Sequence, residues 1–414
     1  MKNKFLVIFI FFLINLININ NKLNSQTLDI QEAVNLAYKN NPSLKALKFA
    51  ISASQAGEKV AISGYLPQIT LNSNEQFASS TKGPQNSTTI NASQLIYSFS
   101  GPERLKRIAK TETEMAKLNE KNSQDLIRKD VEISFLQTWL LQEKQKTIKS
   151  LEVAAQQTIK KSENQDRVNL LGQNDVLIAS ANYASQMYNV YAYIDELSIS
   201  QDQLEYLLGN SYKTDNNSPE LVWDFNKNTT VNPLDNYYNL ALKNRKELKL
   251  KDQEIAEYEE YQKYYKYNYL PEFSLTGQAS RASQTIANNI GINLSWNLFD
   301  GASNYYQSQQ YNANKLKALQ EKESLFQQVK YDVQKAYHEL MAYIKQLTAK
   351  DAAYKQADNE YNLAKLNYKI GLISKVDLDN SMYNFENAHF AWLTAKINVA
   401  IKESELNFAC GYPK

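Results

Sequence analysis

Few residues in this sequence have the types and spacing that chemistry at an active site requires. The only two histidines, His338 and His389, lie in separate predicted helices, which favours packing or surface roles over a metal pair. The sequence contains no Gly-x-Ser-x-Gly, no phosphate-binding Gly-rich loop and no His-Glu-x-x-His. Acidic residues such as Asp377 and Asp379 are typical of a solvated helix face. We therefore predict no catalytic site, no metal site and no cofactor.

Cysteine usage and charge narrow the possible partners. Cys410 is the only cysteine, so the chain forms no internal disulfide and no cysteine-based metal site. The sequence has 46 basic and 44 acidic residues. Without the three lysines of residues 1–25 the net charge is −1. This near balance gives no reason to expect nucleic-acid binding.

The N-terminus predicts export from the cytoplasm. Lys2 and Lys4 precede an apolar run that begins at Phe5 and is too short to span a membrane as a helix, which needs roughly 20 residues. We predict a cleaved signal peptide at residues 1–25. No later apolar run approaches spanning length, so any membrane-spanning part has to consist of strands.

Residues 288–301, NNIGINLSWNLFDG, alternate strictly between apolar and polar side chains, although most of the sequence has helical periodicity. A period of two predicts a strand with one apolar and one polar face. The apolar set consists of Ile290, Ile292, Leu294, Trp296 and Leu298. The polar set consists of Asn289, Gly291, Asn293, Ser295 and Asn297.

The sequence contains a tandem repeat. Residues 32–44 line up with residues 236–248, an offset of 204, and the same offset relates two Tyr-Leu-Pro segments. Three further pairs of similar segments follow in the same order. We predict a signal peptide at 1–25, a first repeat at 26–209, a linker or equatorial segment at 210–232 and a second repeat at 233–414.

Each repeat is predicted to contain two strands and two long helices. In the first repeat the strands span about 68–79 and 88–98, and the helices span about 102–169 and 175–208. In the second repeat the strands span about 272–281 and 289–299, and the helices span about 302–369 and 375–409. Apolar residues recur every seven positions in the helices, which predicts coiled-coil packing. The fold class is α+β and mostly helical.

Four strands cannot form a closed membrane barrel, because the smallest such barrels have 8 strands. An open sheet with an apolar outer face would leave unpaired edges, which lipid does not accommodate. Several copies of the chain could close one barrel together, and this reasoning leaves their number open. The apolar set at 290–298 would then contact lipid, and the polar set would line a wet lumen.

These landmarks together resemble the TolC family of outer-membrane efflux and secretion ducts. The motifs are AVNLAYKNNPSL, the paired YLP segments, NLFDG before a long helix, and GLISKVDLDN. The resemblance implies a homotrimer in the outer membrane, with a 12-stranded transmembrane β-barrel and a periplasmic helical barrel of 12 helices. It also implies a periplasmic adaptor protein and an inner-membrane pump as partners.

The resemblance further implies an aperture at the periplasmic end of the duct. Gly172 and Gly371 would form the turns that meet the adaptor. The positions that match the family's aperture-lining residues are Tyr368, Ile373, Asp377, Asn380 and Asp175. The family pattern has Arg at the position of Ile373 and Asp at the position of Asn380, so the ties that close the aperture and its ring of charge are expected to be weaker here.

Three functions are compatible with these features. The favoured one is an exit duct of a tripartite efflux pump that carries small molecules to the outside. The alternative is the outer-membrane component of a type I protein secretion system. A coiled-coil surface scaffold or adhesin belongs to a different class, and it does not explain why both repeats carry an alternating hairpin. The transported substrate is not specified by the sequence.

Overall fold

The computed structural model describes residues 27–76, 85–167, 173–209, 219–224, 230–282 and 285–412. The predicted signal peptide lies outside the described residues. The described chain is mostly helical, which confirms the predicted helical class. No helix among the described residues combines the length and apolar character needed to cross a membrane.

The first half of the chain contains seven described elements. They are strand β1 (Thr27–Asp29), helices α1 (Ile30–Asn40) and α2 (Pro42–Ser63), strands β2 (Gln68–Gln76) and β3 (Gln85–Ser98), and helices α3 (Pro102–Arg167) and α4 (Gln173–Leu207). Helix α1 begins with a capping box in which Asp29 and Glu32 each accept a hydrogen bond from the other's backbone N–H.

The second half contains another seven. They are strand β4 (Glu220–Val222), helices α5 (Leu234–Asn244) and α6 (Lys246–Tyr267), strands β5 (Glu272–Ala282) and β6 (Thr285–Ser295), and helices α7 (Ser303–Lys369) and α8 (Lys375–Ala409). Helix lengths match in order: α1 and α5 have 11 residues, α2 and α6 have 22, α3 and α7 have 66 and 67, and α4 and α8 have 35.

One compact unit comprises the described parts of Met1–Asn41, Ile127–Thr230 and Leu340–Ser404. Its core forms where one face of α3 meets the small sheet of β1 and β4 and helices α1, α4 and α8, because apolar residues spaced by three or four positions share one side of a helix. Its buried members include Leu28, Val131, Phe135, Leu136, Trp139, Leu204, Leu208, Leu221, Leu393 and Ile397.

The small sheet of this unit lies partly in the predicted linker at 210–232. Strand β4 pairs in parallel with β1, and Leu221 is buried. The side chain of Gln142 supports β4 by accepting from the Leu221 N–H at 3.0 Å and donating to the Pro219 carbonyl at 3.2 Å. The segment predicted as a linker or equatorial segment therefore contains a short paired strand, which one buried leucine among turn-forming residues did not indicate.

The other unit comprises the described parts of Pro42–Leu126, Val231–Glu339 and Glu405–Lys414. It contains an antiparallel four-stranded sheet in the order β2-β3-β5-β6. The central pair, β3 and β5, joins the hairpin of the first half to the hairpin of the second. Within one chain β2 and β6 are the two edges, and each has a paired strand on one side only.

Strand β6 spans Thr285–Ser295, whereas the sequence predicted about 289–299. It begins earlier because its pairing with β5 continues back to Thr285, past Asn288, which interrupts the apolar side of the alternation. It ends at Ser295, after which the indole N–H of Trp296 donates to the Tyr269 carbonyl at 3.0 Å. Trp296 and Leu298, which were predicted to lie in the strand, therefore lie just beyond it.

Two glycines end the last helix of each half in the same way. Gly209 has φ 71° and Gly411 has φ 74°, a left-handed conformation that glycine adopts without strain. A Cβ at Gly209 would lie 2.8 Å from the backbone of Asn40, and one at Gly411 would lie 2.9 Å from the backbone of Asn244. The end of the last long helix thus packs directly on the end of the first short helix in both halves.

Candidate functional site

The four-stranded sheet has an apolar face that one chain leaves uncovered. Strand pairing brings apolar side chains of all four strands to this side, because residues paired across neighbouring strands share a face. We call it the apolar face: Ile69, Leu71, Ile90, Ala92, Phe273, Leu275, Gly277, Ala279, Ile290, Ile292 and Leu294. Ile290 is 85% exposed and Ile292 is 74% exposed. A contiguous surface of this kind marks contact with lipid or protein.

The opposite side of the sheet, which we call the polar face, carries neutral hydroxyl and amide side chains. Its members are Thr70, Asn72, Asn74, Ser87, Thr89, Asn91, Ser93, Ser274, Thr276, Gln278, Ser280, Asn289, Asn293 and Ser295. Some of them bond to the neighbouring strand: the Thr276 hydroxyl donates to the Gly291 carbonyl at 3.2 Å. Such side chains hydrogen-bond readily to water, so the two faces suit two different solvents.

Aromatic side chains cluster where the strands meet the helices of this unit. Tyr97 and Phe99 pack edge to face with ring centroids 4.9 Å apart. Trp296 is anchored through its indole N–H to Tyr269, and Phe299 is 82% exposed. Trp and Tyr are enriched at membrane–water interfaces, because one part of the ring is apolar and the other can hydrogen-bond.

The turn between α7 and α8 contains the predicted tip residue Gly371. The Leu372 N–H donates to the Asn367 carbonyl at 2.9 Å, and the Gly371 N–H donates to the Tyr368 carbonyl at 3.1 Å. With φ 76° at Gly371, these bonds form a Schellman motif that closes α7. A Cβ at Gly371 would meet open space, so the glycine serves the backbone conformation rather than close packing.

Asp377, predicted to line the aperture, begins α8 as part of a capping box. Its Oδ2 accepts from the Ser374 N–H at 3.0 Å and from the Ser374 hydroxyl at 2.7 Å, and its own N–H donates to the Ser374 Oγ at 3.1 Å. The hydroxyl and the backbone N–H of Ser374 hold the pKa of the Asp377 carboxyl below its ordinary value. The side chain is exposed, so it presents a fixed negative charge beside the turn.

The structure describes some of the other predicted tip and aperture residues fully, some in part and some not at all. Tyr368 is in the last turn of α7, Ile373 is in the turn and Asn380 is exposed in α8. Asp175 is in the first turn of α4, and its side chain is not among those described. Gly172 lies outside the described residues. The structure therefore groups four of the seven predicted tip and aperture residues with Gly371, and their role in an aperture stays a prediction.

Exposed apolar residues surround this turn, and sequence reasoning missed them. We call them the apolar collar: Leu363, Leu366, Ile370 and Leu372. Each is more than half exposed; Leu372 reaches 70%. Leu363 and Leu366 lie on α7 outside the positions that recur every seven residues. Apolar residues at such positions were the signal available in the sequence.

Comparison with protein families identifies the fold's relatives. The sequence matches the family described as "Outer membrane efflux protein" over residues 33–210 and 237–412, which is most of the chain. The chain belongs to the outer membrane efflux protein family. A comparison with curated proteins finds no match.

Solved structures of similar fold are themselves outer-membrane channels. The Campylobacter jejuni CmeC outer membrane channel is 17% identical, with TM-score 0.77, covering 92% of this chain and 85% of that one. CusC, described for its transmembrane channel formation, is 16% identical, with TM-score 0.75 and coverage of 93% and 92%. The open state of Neisseria gonorrhoeae MtrE is 16% identical, with TM-score 0.72 and coverage of 92% and 88%.

Membership of the efflux family confirms three predictions. The resemblance stated from sequence motifs is confirmed, as are the efflux function and the outer-membrane location. The family consists of efflux proteins, which supports at that level the prediction that the chain is not an enzyme. Within the described residues no three His, Cys, Asp or Glu side chains lie close enough together to hold a metal ion.

The efflux protein also holds a carboxyl group in an unfavourable position. Burial, together with the negative charges of Glu112 and Glu254, raises the pKa of Glu257 to about 7 from an ordinary 4.5. Nearby, the rings of Tyr261 and Tyr311 stack with centroids 4.7 Å apart. A partly buried carboxylate beside two like charges destabilises the folded state whenever it is ionised.

We predict that Glu257→Gln flattens the pH dependence of stability. The folded protein binds this proton more tightly than the unfolded chain, so stability falls as pH rises from about 4.5 to about 7. The glutamine stays neutral and should raise stability above pH 7 by roughly 1–3 kcal/mol. Thermal unfolding of the helical circular-dichroism signal across this range measures the effect.

Glu259→Gln, on the same helix, is the matched control. Lys263 lowers the pKa of Glu259, so this carboxylate contributes in the opposite direction and its replacement should leave the decline in place. A Glu257→Gln profile parallel to that of the unmodified protein contradicts the prediction.

Proposed function

We propose that this chain is the outer-membrane exit duct of a tripartite efflux pump, working as a homotrimer. Four strands from each of three copies form a 12-stranded barrel, and the long helices form the periplasmic tunnel. The observation that carries the proposal is the sheet, whose apolar and polar faces are continuous across all four strands and whose two edges are unpaired within one chain.

Strand dimensions support the barrel. The four strands have 9, 14, 11 and 11 residues. A strand that crosses a bilayer needs about 9–11 residues. In hydrocarbon every backbone N–H and C=O must find a partner, so β6 of one copy has to pair with β2 of the next. The apolar face then meets lipid and the polar face lines the lumen.

A tandem repeat within each chain supplies the long helices of the proposed tunnel. The equal helix lengths of the two halves and the matching contacts of Gly209 and Gly411 support two copies of one structural unit per chain. Three chains then supply six such units around the tunnel. This arrangement puts the turn at Gly371 at the periplasmic end.

The turn at Gly371 is proposed as the contact with a periplasmic adaptor, which in turn joins an inner-membrane pump. The apolar collar supports this, because exposed apolar residues at a helical turn provide a surface for a protein partner. Tyr368, Ile373, Asp377, Asn380 and Asp175 are proposed to line the aperture. No substrate is assigned, because a wide polar lumen has no tight binding pocket.

The molecular mass of the detergent-extracted protein tests the proposed trimer. Detergent-extracted protein is expected to have the mass of three chains by size exclusion with light scattering, and to conduct ions when reconstituted in a planar bilayer. A monomer that conducts and resists protease contradicts the proposal, because four strands cannot close a pore alone.

Opposite faces of β6 are expected to respond differently to one charge. Ile290→Arg places a guanidinium in lipid at the middle of β6 and should hinder assembly, at roughly 2–4 kcal/mol per copy near the bilayer midplane. Asn289→Arg is the matched control, because it adds the same side chain to the polar face and should be tolerated. The yield of heat-modifiable trimer in outer-membrane fractions measures both. A greater loss with Asn289→Arg means that the faces are assigned the wrong way round.

The charge of Asp377 is expected to act at the aperture independently of its helix cap. Asp377→Asn removes the charge while its amide oxygen can still accept the Ser374 N–H, so cation preference and block by periplasmic divalent ions should both fall. Ser374→Ala removes the hydroxyl of the cap and keeps the charge, so both properties should persist. Single-channel recordings measure them. Equal changes in the two variants, or none in Asp377→Asn, contradict an aperture role.

A further inference from the structure

Among the strand residues that the structure describes, one side chain on the polar face of the sheet is charged. Among the described strand residues on this face, all but one are neutral: hydroxyl, amide, small or, at Leu95, apolar. The exception is Glu272, the first residue of β5, at the end of the sheet that adjoins α6. The other charges of the strands, Glu75 and Arg281, lie on the opposite face near the hairpin ends.

The neighbouring strands hold the Glu272 carboxylate in place. Glu272 pairs with Ser98 of β3 and with Ser295 of β6. The Ser98 hydroxyl donates to Glu272 Oε1 at 2.8 Å, which fixes the side chain across the polar face. Among the described residues no cation lies in ion-pair distance of Glu272. The carboxylate is thus oriented by a neutral donor, and its charge is not cancelled locally.

We propose that Glu272 determines the charge selectivity of the barrel by forming a ring of carboxylates at its periplasmic mouth. The inference rests on the proposed trimeric duct, in which the polar face lines the lumen. Three copies of Glu272 then stand at one level of a passage whose other strand positions are neutral. Such a ring attracts cations and repels anions, and cationic solutes are favoured at the passage from tunnel to barrel.

Ionic strength distinguishes this ring from a narrow filter. The barrel lumen is wide, so the carboxylates act at a distance rather than by direct coordination. The Debye length is about 10 Å at 0.1 M salt and about 3 Å at 1 M salt. The cation preference due to Glu272 should therefore be marked at 0.1 M and largely lost at 1 M.

The experiment measures reversal potentials of the full-length trimer in planar bilayers under a potassium chloride gradient. Glu272→Gln is expected to lower the ratio of potassium to chloride permeability at least twofold near 0.1 M and to leave it nearly unchanged near 1 M. Glu75→Gln, which removes a carboxylate from the opposite face, should leave the ratio unchanged at both concentrations. Block by periplasmic divalent ions should persist in Glu272→Gln, which separates this ring from Asp377.

A second variant restores the charge at the same level of the barrel. Ser295 is the cross-strand partner of Glu272, so Glu272→Gln combined with Ser295→Asp should recover the cation preference. If Glu272 acts only by holding β3 and β5 together, the second substitution will not restore it. Conducting trimers whose selectivity is unchanged by Glu272→Gln overturn this inference and leave the duct intact. Failure of the unmodified protein to form conducting trimers overturns the proposed function instead.

Discussion

Backbone hydrogen bonding in a medium without water is the constraint on which this structure depends. A sheet edge in hydrocarbon leaves a row of donors and acceptors without partners, at a cost of several kcal/mol for each group. The pairing of β3 with β5 reduces this problem within one chain, because it joins the hairpins of the two halves into one continuous piece. The proposed trimer then needs three seams between chains, whereas six separate hairpins would need six. Each seam avoided is one fewer place where closure depends on encounter between copies.

The long helices α7 and α8 meet a different requirement, which is to support the turn at Gly371 between them. Near the turn at Gly371 the seam between α7 and α8 is aromatic. Tyr354 stacks on Trp392 with centroids 5.2 Å apart, and Tyr361 stacks on Phe385 at 5.4 Å. Such pairs contribute about 0.5–1.5 kcal/mol each beyond the area they bury. Farther from the turn, Val333 and Leu340 of α7 and Ile397 and Leu406 of α8 are buried.

Sequence periodicity predicted the parts of the fold that repeat and missed those that depend on single contacts. The alternation around Ile290 predicted a strand with two unlike faces, because a pleated strand translates alternation directly into faces. The end of that strand was misplaced, because the bond from Trp296 to Tyr269 joins residues far apart in sequence. At Asp377 the pattern Ser-x-x-Asp is itself a capping-box signal, and the structure adds that the charge stays exposed. The apolar collar depends on the exposure of its side chains, which a sequence pattern does not contain. The hydrogen bond from Ser98 to Glu272 depends on the pairing of strands from the two halves, which the pattern of one strand does not contain.

The bulge in β3 affects how chains of this kind can change length over evolution. Between Leu95 and Tyr97 the pairing with β5 shifts by one residue, so Tyr97 shares a face with Phe273 where strict alternation would place Ile96. A single-residue insertion in a strand would otherwise transfer every later side chain to the other solvent. Insertions and deletions in the strands are therefore acceptable in pairs, or singly where a bulge absorbs the odd residue. In the helices an insertion or deletion of seven residues preserves the packing face, because apolar side chains recur every seven residues. Lineages of this protein should consequently differ in length by these increments, with other increments confined to the turns.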